Sequence, residues 1–129
     1  MSRRKYRRRP DQGVTAIKLD LDIDGFTYRK WGGDQRAKRG DWLIDNDGDI
    51  YTVDSESFAR TYERLDKGRY VKTTPIWAEV ASGPGRIPTK EGETEYARGD
   101  YIVCNEPDGG DAYAIKAADF ERMYEEVES

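Results

Sequence analysis

Three pairs of carboxylates occur at corresponding positions in the two halves of the chain, and they are the residues best spaced for acid–base chemistry. The pairs are Asp41 with Asp100, Asp49 with Asp111, and Glu63 with Glu125. Two carboxyl groups facing each other across a cleft could serve as the acid and base of a glycosidase-like reaction. Asp beside Gly, however, is a frequent turn former because its side chain bonds to its own backbone. We therefore favour turns over catalysis and predict no catalytic residue.

The segment Asp45-Asn46-Asp47-Gly48-Asp49, followed by Glu56, resembles a calcium-binding loop. Its acidic residues fall at relative positions 1, 3, 5 and 12, but glycine falls at position 4 instead of 6, and strand-like residues precede the loop. The chain also has no histidine, which removes the commonest general base and every zinc site that uses His. We therefore predict a hairpin turn here, with no metal ligand and no cofactor. The residues leave open whether the chain is an enzyme and favour a non-catalytic role.

The composition fits a small, polar globular protein. Of the 129 residues, 37% are charged and 36% hydrophobic, and Cys104 is the single cysteine, so no intramolecular disulfide can form. No apolar run approaches the roughly 18 residues that span a bilayer, and the N-terminus lacks the apolar segment of a signal peptide. We expect a cytoplasmic protein with no membrane partner.

Basic residues are concentrated before Pro10, where no acidic residue occurs. This leaves 16 basic against 26 acidic residues in the remainder, a net charge of −10. Clustered guanidinium groups displace counterions from phosphate, so the pattern predicts that residues 1–12 form a disordered arm that contacts nucleic acid or an acidic partner. The candidate binding residues in this arm are Arg3, Arg4, Arg7, Arg8 and Arg9. The alternative is a solvated tail, or one that docks on the protein's own acidic face.

The chain contains an internal repeat. Residues 28–46 align without gaps on residues 87–105, and the match resumes after a three-residue insertion. The later pairs are Gly48-Asp49 with Gly110-Asp111, Tyr51 with Tyr113, Phe58 with Phe120, and Tyr62 with Tyr124. A unit of about 50 residues is marginal on its own. We therefore predict a first unit over 13–68 and a second over 69–129, which together form one compact domain.

Each unit has the same predicted elements. A strand with alternating apolar residues, such as Ile17, Leu19 and Leu21, precedes a hairpin. An apolar stripe formed by Phe58, Tyr62 and Leu65 predicts a helix after the hairpin, which Asp54 or Ser55 can cap. The predicted fold class is α+β, mainly β. It consists of two tandem copies of a β-hairpin or barrel-like unit, each closed by a short C-terminal helix and packed with pseudo-twofold symmetry.

Two short motifs carry a family resemblance. Gly40-Asp41-Trp42-Leu43-Ile44 and Gly99-Asp100-Tyr101-Ile102-Val103, each followed by Gly-Asp, Tyr, Phe and Tyr-Glu, resemble the module of an uncharacterised bacterial and phage family. That family is named after its Pro-Gly-Asp-Tyr-Gly motif. Here Arg39 and Arg98 precede the glycine, and Leu43 and Ile102 follow the aromatic residue. The resemblance implies a module of phage or prophage origin and brings no catalytic residue or ligand with it.

A second candidate surface mixes basic and aromatic residues that the repeat does not pair as core. Its members are Tyr28, Arg29, Lys30, Trp31 and Arg36, a combination that suits bases or a nucleotide. We expect a non-catalytic accessory protein that engages a protein or nucleic-acid partner. Two alternatives remain: an acidic decoy that inhibits a nucleic-acid-binding protein, and a small enzyme or sensor for a nucleotide-like ligand in a cleft between the units.

Overall fold

The computed structural model describes residues 3–127, which form fourteen strands and two short helices, so the predicted mainly β class is confirmed. Residues 1–2 and 128–129, the ends of the predicted arm and of the predicted second unit, lie outside the described residues. The strands are β1 (Arg4–Arg8), β2 (Val14–Lys18), β3 (Phe26–Lys30), β4 (Gly33–Ala37), β5 (Trp42–Asn46), β6 (Asp49–Val53), β7 (Tyr62–Asp66), β8 (Arg69–Lys72), β9 (Ile76–Val80), β10 (Gly85–Pro88), β11 (Glu93–Tyr96), β12 (Tyr101–Cys104), β13 (Ala112–Ile115) and β14 (Tyr124–Glu126). The helices are α1 (Ser55–Thr61) and α2 (Ala117–Met123).

Ten of the strands form two antiparallel five-stranded sheets. The first sheet has the order β6-β5-β2-β8-β7, and the second has the order β13-β12-β9-β1-β14. Strands β3 and β4 form one separate hairpin, and β10 and β11 form the other. Within residues 3–127 neither sheet closes on itself, so the barrel-like alternative is not the architecture.

The helices do not close the units, contrary to the prediction. Asp54 caps α1 as expected, because its side chain accepts hydrogen bonds from the backbone of Glu56 and Ser57. Tyr62 then takes an extended conformation and begins β7, where it lies opposite Lys72 of β8. Strand pairing therefore ends the helix after seven residues, and Leu65, predicted to lie on the helix, is instead 57% exposed on β7. In the same way α2 leads directly into β14.

The prediction of a disordered arm is wrong for Arg4–Arg8. These residues form β1, which pairs with β9 on one side and with β14 on the other. A strand in this position has both backbone edges hydrogen-bonded, and its inward side chains, Tyr6 and Arg8, are removed from most of the solvent. Like charges along the segment did not prevent pairing, because neighbouring strands supply the opposite charges.

Each sheet packs a core against its own helix. In the first sheet Val14, Ala16 and Ile44 pack with Phe58 of α1. In the second sheet the matching contacts are made by Ile76, Ala78, Val103 and Phe120 of α2. Neither helix within residues 3–127 has the length and apolar character needed to cross a membrane.

Candidate functional site

A cavity of about 540 Å³ is lined by residues of both sheets and by the two separate hairpins. This volume is in the range of small-molecule sites. One set of lining residues consists of two basic side chains and four tyrosines from the sheets: Arg8, Lys72, Tyr51, Tyr62, Tyr113 and Tyr124. We call this set the cationic floor. The hairpins contribute a second set, the roof: Trp31, Gly32, Thr89, Glu91, Thr94 and Glu95.

Arg8 is the most unusual residue of the cationic floor. It lies on β1 opposite Tyr124 and is only 6% exposed. Its Nε donates to the backbone oxygen of Gln12 at 3.0 Å, and its Nη1 donates to the Tyr124 hydroxyl at 3.3 Å. Its Nη2 is buried without a hydrogen-bond partner. Across residues 3–127, no carboxylate forms an ion pair with this guanidinium.

Lys72 is the second buried cation of the floor, also 6% exposed. Its Nζ donates to the Asn105 side-chain oxygen and, at 2.9 Å, to the Tyr113 hydroxyl. Both acceptors are neutral, and the described part of the chain supplies no carboxylate within ion-pair distance. Burial lowers the pKa of Lys72, and the nearby Arg8 charge acts in the same direction. The floor thus concentrates positive charge that its own residues do not neutralise with a carboxylate.

The charges of both cations act on the Tyr124 hydroxyl. Burial opposes its ionisation, but the charges of Lys72 and Arg8 and hydrogen bonds from Tyr113 and Arg8 outweigh burial and lower the pKa of Tyr124 to about 8. Burial raises the pKa of Tyr113 well above its usual range. Of the interacting tyrosines Tyr113 and Tyr124, Tyr124 is therefore the one that ionises first. The floor therefore favours negative charge at the position of Tyr124.

The roof is built by the two hairpins, which are hydrogen-bonded to each other. The Glu95 backbone N–H donates to the Trp31 carbonyl at 2.8 Å, and Gln35 forms an isolated bridge with Gly92. Trp31 itself has a φ of +57°, a conformation that is uncommon for a bulky residue. A Cβ on Gly92 would clash with the backbone oxygen of Asp34, so glycine is required for the hairpins to approach this closely.

Glu91 is the roof residue with the most altered acidity. Its carboxylate accepts a hydrogen bond from the Asp54 backbone N–H at 2.9 Å. Burial raises the pKa of Glu91 to about 7, and the charges of Asp111 and Asp54 add to this effect. Glu91 is therefore partly protonated at neutral pH and can act as a hydrogen-bond donor or acceptor.

Ser57 and Lys90 form the arrangement closest to a catalytic dyad. Lys90 Nζ donates to Ser57 Oγ at 2.8 Å, and Ser57 Oγ donates to an Asp111 carboxyl oxygen at 2.8 Å. Lys90 also lies 3.8 Å from Asp54 and 3.9 Å from Asp111. Lys90 Nζ is thus shared between the serine hydroxyl and two carboxylates instead of being directed at the serine alone. This arrangement is suited to holding the sheets and a hairpin together, not to nucleophilic attack.

The described residues also contain no group of three or more acidic or cysteine side chains able to hold a metal ion.

Most of the predicted arm residues are exposed at the surface and do not line the cavity. Arg4 pairs with Glu126 at 3.4 Å, whereas Arg7 and Arg9 pair with Glu125 at 2.6 and 3.2 Å. Arg3 is exposed just before β1. These pairs correspond to the alternative in which the basic residues dock on the protein's own acidic residues. Arg8 alone turns inward to the cavity.

The second predicted set is likewise divided. Four of its members have partners in or beside the β3–β4 hairpin: Tyr28 with Thr52 at 2.6 Å, Arg29 with Asp34 at 3.0 Å, Lys30 with Asp49 at 2.8 Å and Arg36 with Thr27 at 3.3 Å. Trp31 reaches the cavity. Of the ten candidate binding residues, Arg8 and Trp31 line the cavity and the other eight do not.

Sequence reasoning missed Lys72, Glu91 and the four tyrosines of the floor. A signal for the tyrosines was present, since the repeat pairs Tyr51 with Tyr113 and Tyr62 with Tyr124. Both residues of each pair are tyrosine and so carry a hydroxyl, which is more typical of a polar interior than of an apolar core. Nothing in the local sequence distinguishes Lys72 or Glu91 from exposed charged residues.

Comparisons with protein families, curated proteins and solved structures found no match to this chain.

Proposed function

We propose that this protein binds a small anionic molecule in the cavity between its two sheets. The observation that carries the proposal is the buried Arg8 guanidinium, which has an unpartnered Nη2 and no carboxylate partner among the described residues. A buried charge without a counter-ion is costly, and removal of that cost is a source of binding energy for an anion. Lys72 adds a second positive charge to the same cavity.

Binding, rather than turnover, is the role that the residues around the cavity favour. Lys90, which contacts Ser57, also lies within 4 Å of two carboxylates. The other polar groups of the lining are cations, hydroxyls, amides and carboxylates, with no histidine or cysteine among them. Tyr124 can hold a proton or release it near neutral pH, which allows the floor to adjust its charge when an anion binds. A ligand-binding or sensor protein is the class that we propose.

The test is a thermal-shift and calorimetry screen with phosphate, pyrophosphate, sulfate and short dicarboxylates at constant ionic strength. An anion at about 100 times its Kd stabilises the native state by about 2.7 kcal/mol. Arg8→Met should abolish this stabilisation, whereas Arg7→Met, on the exposed face of the same strand, should preserve it. If no anion stabilises the protein, or if Arg8→Met binds anions as well as the unaltered chain does, the proposal is wrong.

We also propose that the two sheets arose by duplication of one unit, with pseudo-twofold packing, and that β1 completes the second copy. The strand orders support this, since β8 and β1 hold the same place in their sheets. Lys72 lies opposite Tyr62 just as Arg8 lies opposite Tyr124. Duplication explains why two cations and two pairs of tyrosines surround one cavity.

A protein or nucleic-acid partner, and the acidic-decoy alternative, stay predictions. Arg4, Arg7 and Arg9 already have carboxylate partners, and a polyanion would have to displace Glu125 and Glu126. Surface ion pairs are weak enough to exchange. Binding to a single-stranded oligonucleotide at low salt, lost in an Arg4→Gln, Arg7→Gln variant, would support the nucleic-acid form.

A further inference from the structure

We infer that the anion is carried by a mononucleotide, whose phosphate lies at Arg8 and Lys72 and whose base lies against Trp31. This inference rests on the proposed anion site and adds an identity for the rest of the ligand. Its basis is that one cavity holds a cationic floor and an aromatic roof residue, which are the two chemistries that a nucleotide presents together.

Trp31 is held where a planar ring could stack on it. The residue lies at the turn between β3 and β4, and its side chain lines the cavity although the residue remains 37% exposed. A tryptophan in the left-handed region is strained, and such conformations cluster at ligand-binding positions. The hydrogen bond from Glu95 to the Trp31 carbonyl holds the turn in place.

Tyr51 is the residue of the cationic floor that contacts Trp31. The Tyr51 ring packs against Trp31 with centroids 5.7 Å apart, and its hydroxyl accepts a hydrogen bond from the Asn46 side chain at 3.3 Å. The positive charge of Arg8 and the Tyr62 hydroxyl both act on this same hydroxyl. Tyr51 therefore contacts the indole through its ring and is influenced by the Arg8 charge at its hydroxyl, so the sugar of the proposed ligand would lie along this tyrosine.

The roof also supplies polar groups suited to the edge of a base. Glu91, Thr94 and Glu95 line the cavity beside Trp31. Carboxylates accept hydrogen bonds from exocyclic amines, and hydroxyls can donate or accept. These acidic groups disfavour a long polyanion at the roof, which points to a free mononucleotide and not to a nucleic-acid strand.

The inference can be tested by calorimetry with inorganic phosphate, ribose 5-phosphate, adenosine, and the 5′-monophosphates of adenosine and uridine. Since stacking of a base on an aromatic ring contributes about 1–3 kcal/mol, the tighter nucleotide should bind at least about tenfold more tightly than ribose 5-phosphate. Adenosine, which lacks the phosphate, should bind more weakly than either. A 5′-phosphorylated single strand that bound more tightly than both nucleotides would overturn the assignment to a free mononucleotide.

Trp31→Asn is the decisive variant, because asparagine tolerates the left-handed backbone and removes the ring. It should lose about tenfold in nucleotide affinity and keep the affinity for ribose 5-phosphate. Trp31→Phe should keep most of the preference, and Trp77→Leu, outside the cavity, should keep all of it. Equal binding of nucleotide and ribose 5-phosphate overturns the inference and leaves the anion site standing. Failure of every phosphate compound to bind also overturns the inference, and failure of sulfate and the dicarboxylates as well overturns the proposed function itself.

Discussion

Tyr6 meets Phe120 edge-on with ring centroids 4.8 Å apart, and Tyr70 meets Phe58 in the same way at 5.1 Å. The two tyrosines come from β1 and β8, each of which is the fourth strand in the order of its sheet. The N-terminal strand thus contributes to the second core what β8 contributes to the first. A segment rich in arginine is fixed in the fold because its alternate side chains, Tyr6 and Arg8, point inward.

The first prediction follows from this packing. Tyr6→Ala should lower the free energy of unfolding by about 2–4 kcal/mol, as Tyr70→Ala should, because each removes a ring packed on a buried phenylalanine. Lys5→Ala, an exposed position on the same strand, should change it by about 0.5 kcal/mol or less. Urea denaturation followed by tryptophan fluorescence measures all three. A Tyr6→Ala cost no larger than that of Lys5→Ala would mean that β1 does not belong to the stable fold.

A second prediction concerns the two phenylalanines themselves. Phe58 is 2% exposed and Phe120 is 1% exposed, and they stack on Trp42 and Tyr101 at 4.2 and 3.9 Å. Either substitution to alanine should cost about 3–5 kcal/mol. Contacts such as Lys72 to Tyr113 join the sheets, so we expect calorimetry to record one transition that moves to lower temperature in both variants. Two transitions that respond separately would contradict the expectation of one cooperative domain.

Local sequence patterns predicted the local elements well. The hairpin of β5 and β6, the hairpin of β12 and β13, and the Asp54 cap are all present. Each depends on residues close together in the chain, such as the glycine of a turn or a capping carboxylate.

Long-range pairing was not predictable in the same way. Ile17 was expected on the buried face of its strand, but Val14 and Ala16 occupy that face and Ile17 is 61% exposed. A shift of one residue moves every side chain of a strand to the other face, and only the partner strand decides the register. The burial of Arg8 was not predictable for the same reason. It depends on pairing with β9 and β14, which lie far along the chain, and the arginine-rich segment itself contains no pattern that indicates this pairing.

The third prediction is a pH dependence caused by Glu91. Its pKa is raised from 4.5 to about 7, so the folded state binds a proton more tightly than the unfolded state does. The contribution of Glu91 to the free energy of unfolding is therefore greatest below about pH 4.5, and it is lost as the pH rises from there through about 7. Glu91→Gln should be more stable than the unaltered chain by about 1–3 kcal/mol at pH 8, with little difference at pH 4.5.

Urea unfolding at several pH values measures this difference. Glu56→Gln, at an exposed position of α1, is the matched control and should show no such trend. If Glu91→Gln gave the same gain at pH 4.5 as at pH 8, the effect would come from packing and not from ionisation.

A fourth prediction tests the charge of the cationic floor. One of the nine tyrosines should ionise near pH 8, because Lys72 and Arg8 lower the pKa of Tyr124 to about that value. A titration of absorbance at 295 nm should show this step apart from the others, and Tyr124→Phe should remove it. Lys72→Met should move the step to higher pH, since it removes a positive charge. Persistence of the step in Tyr124→Phe would show that another residue produces it.

The last prediction tests whether β1 completes a second copy of the unit. In the first sheet β7 continues through a short turn into β8, whereas in the second sheet β14 and β1 lie side by side with no short connection. The Val127 backbone N–H donates to the Lys5 carbonyl at 2.9 Å, so a short linker could join residue 127 to residue 3. A circular permutant of residues 3–127 that carries this linker and opens between Pro10 and Asp11, both exposed, should therefore fold. We expect its free energy of unfolding to lie within about 2 kcal/mol of the original, with the same single transition. A permutant opened between Ile44 and Asp45, inside strand β5, which is paired on both sides, serves as the control and should not fold. If the first permutant failed to fold like the second, β1 would need its connection to β2, and the proposed equivalence of β1 and β8 would be wrong.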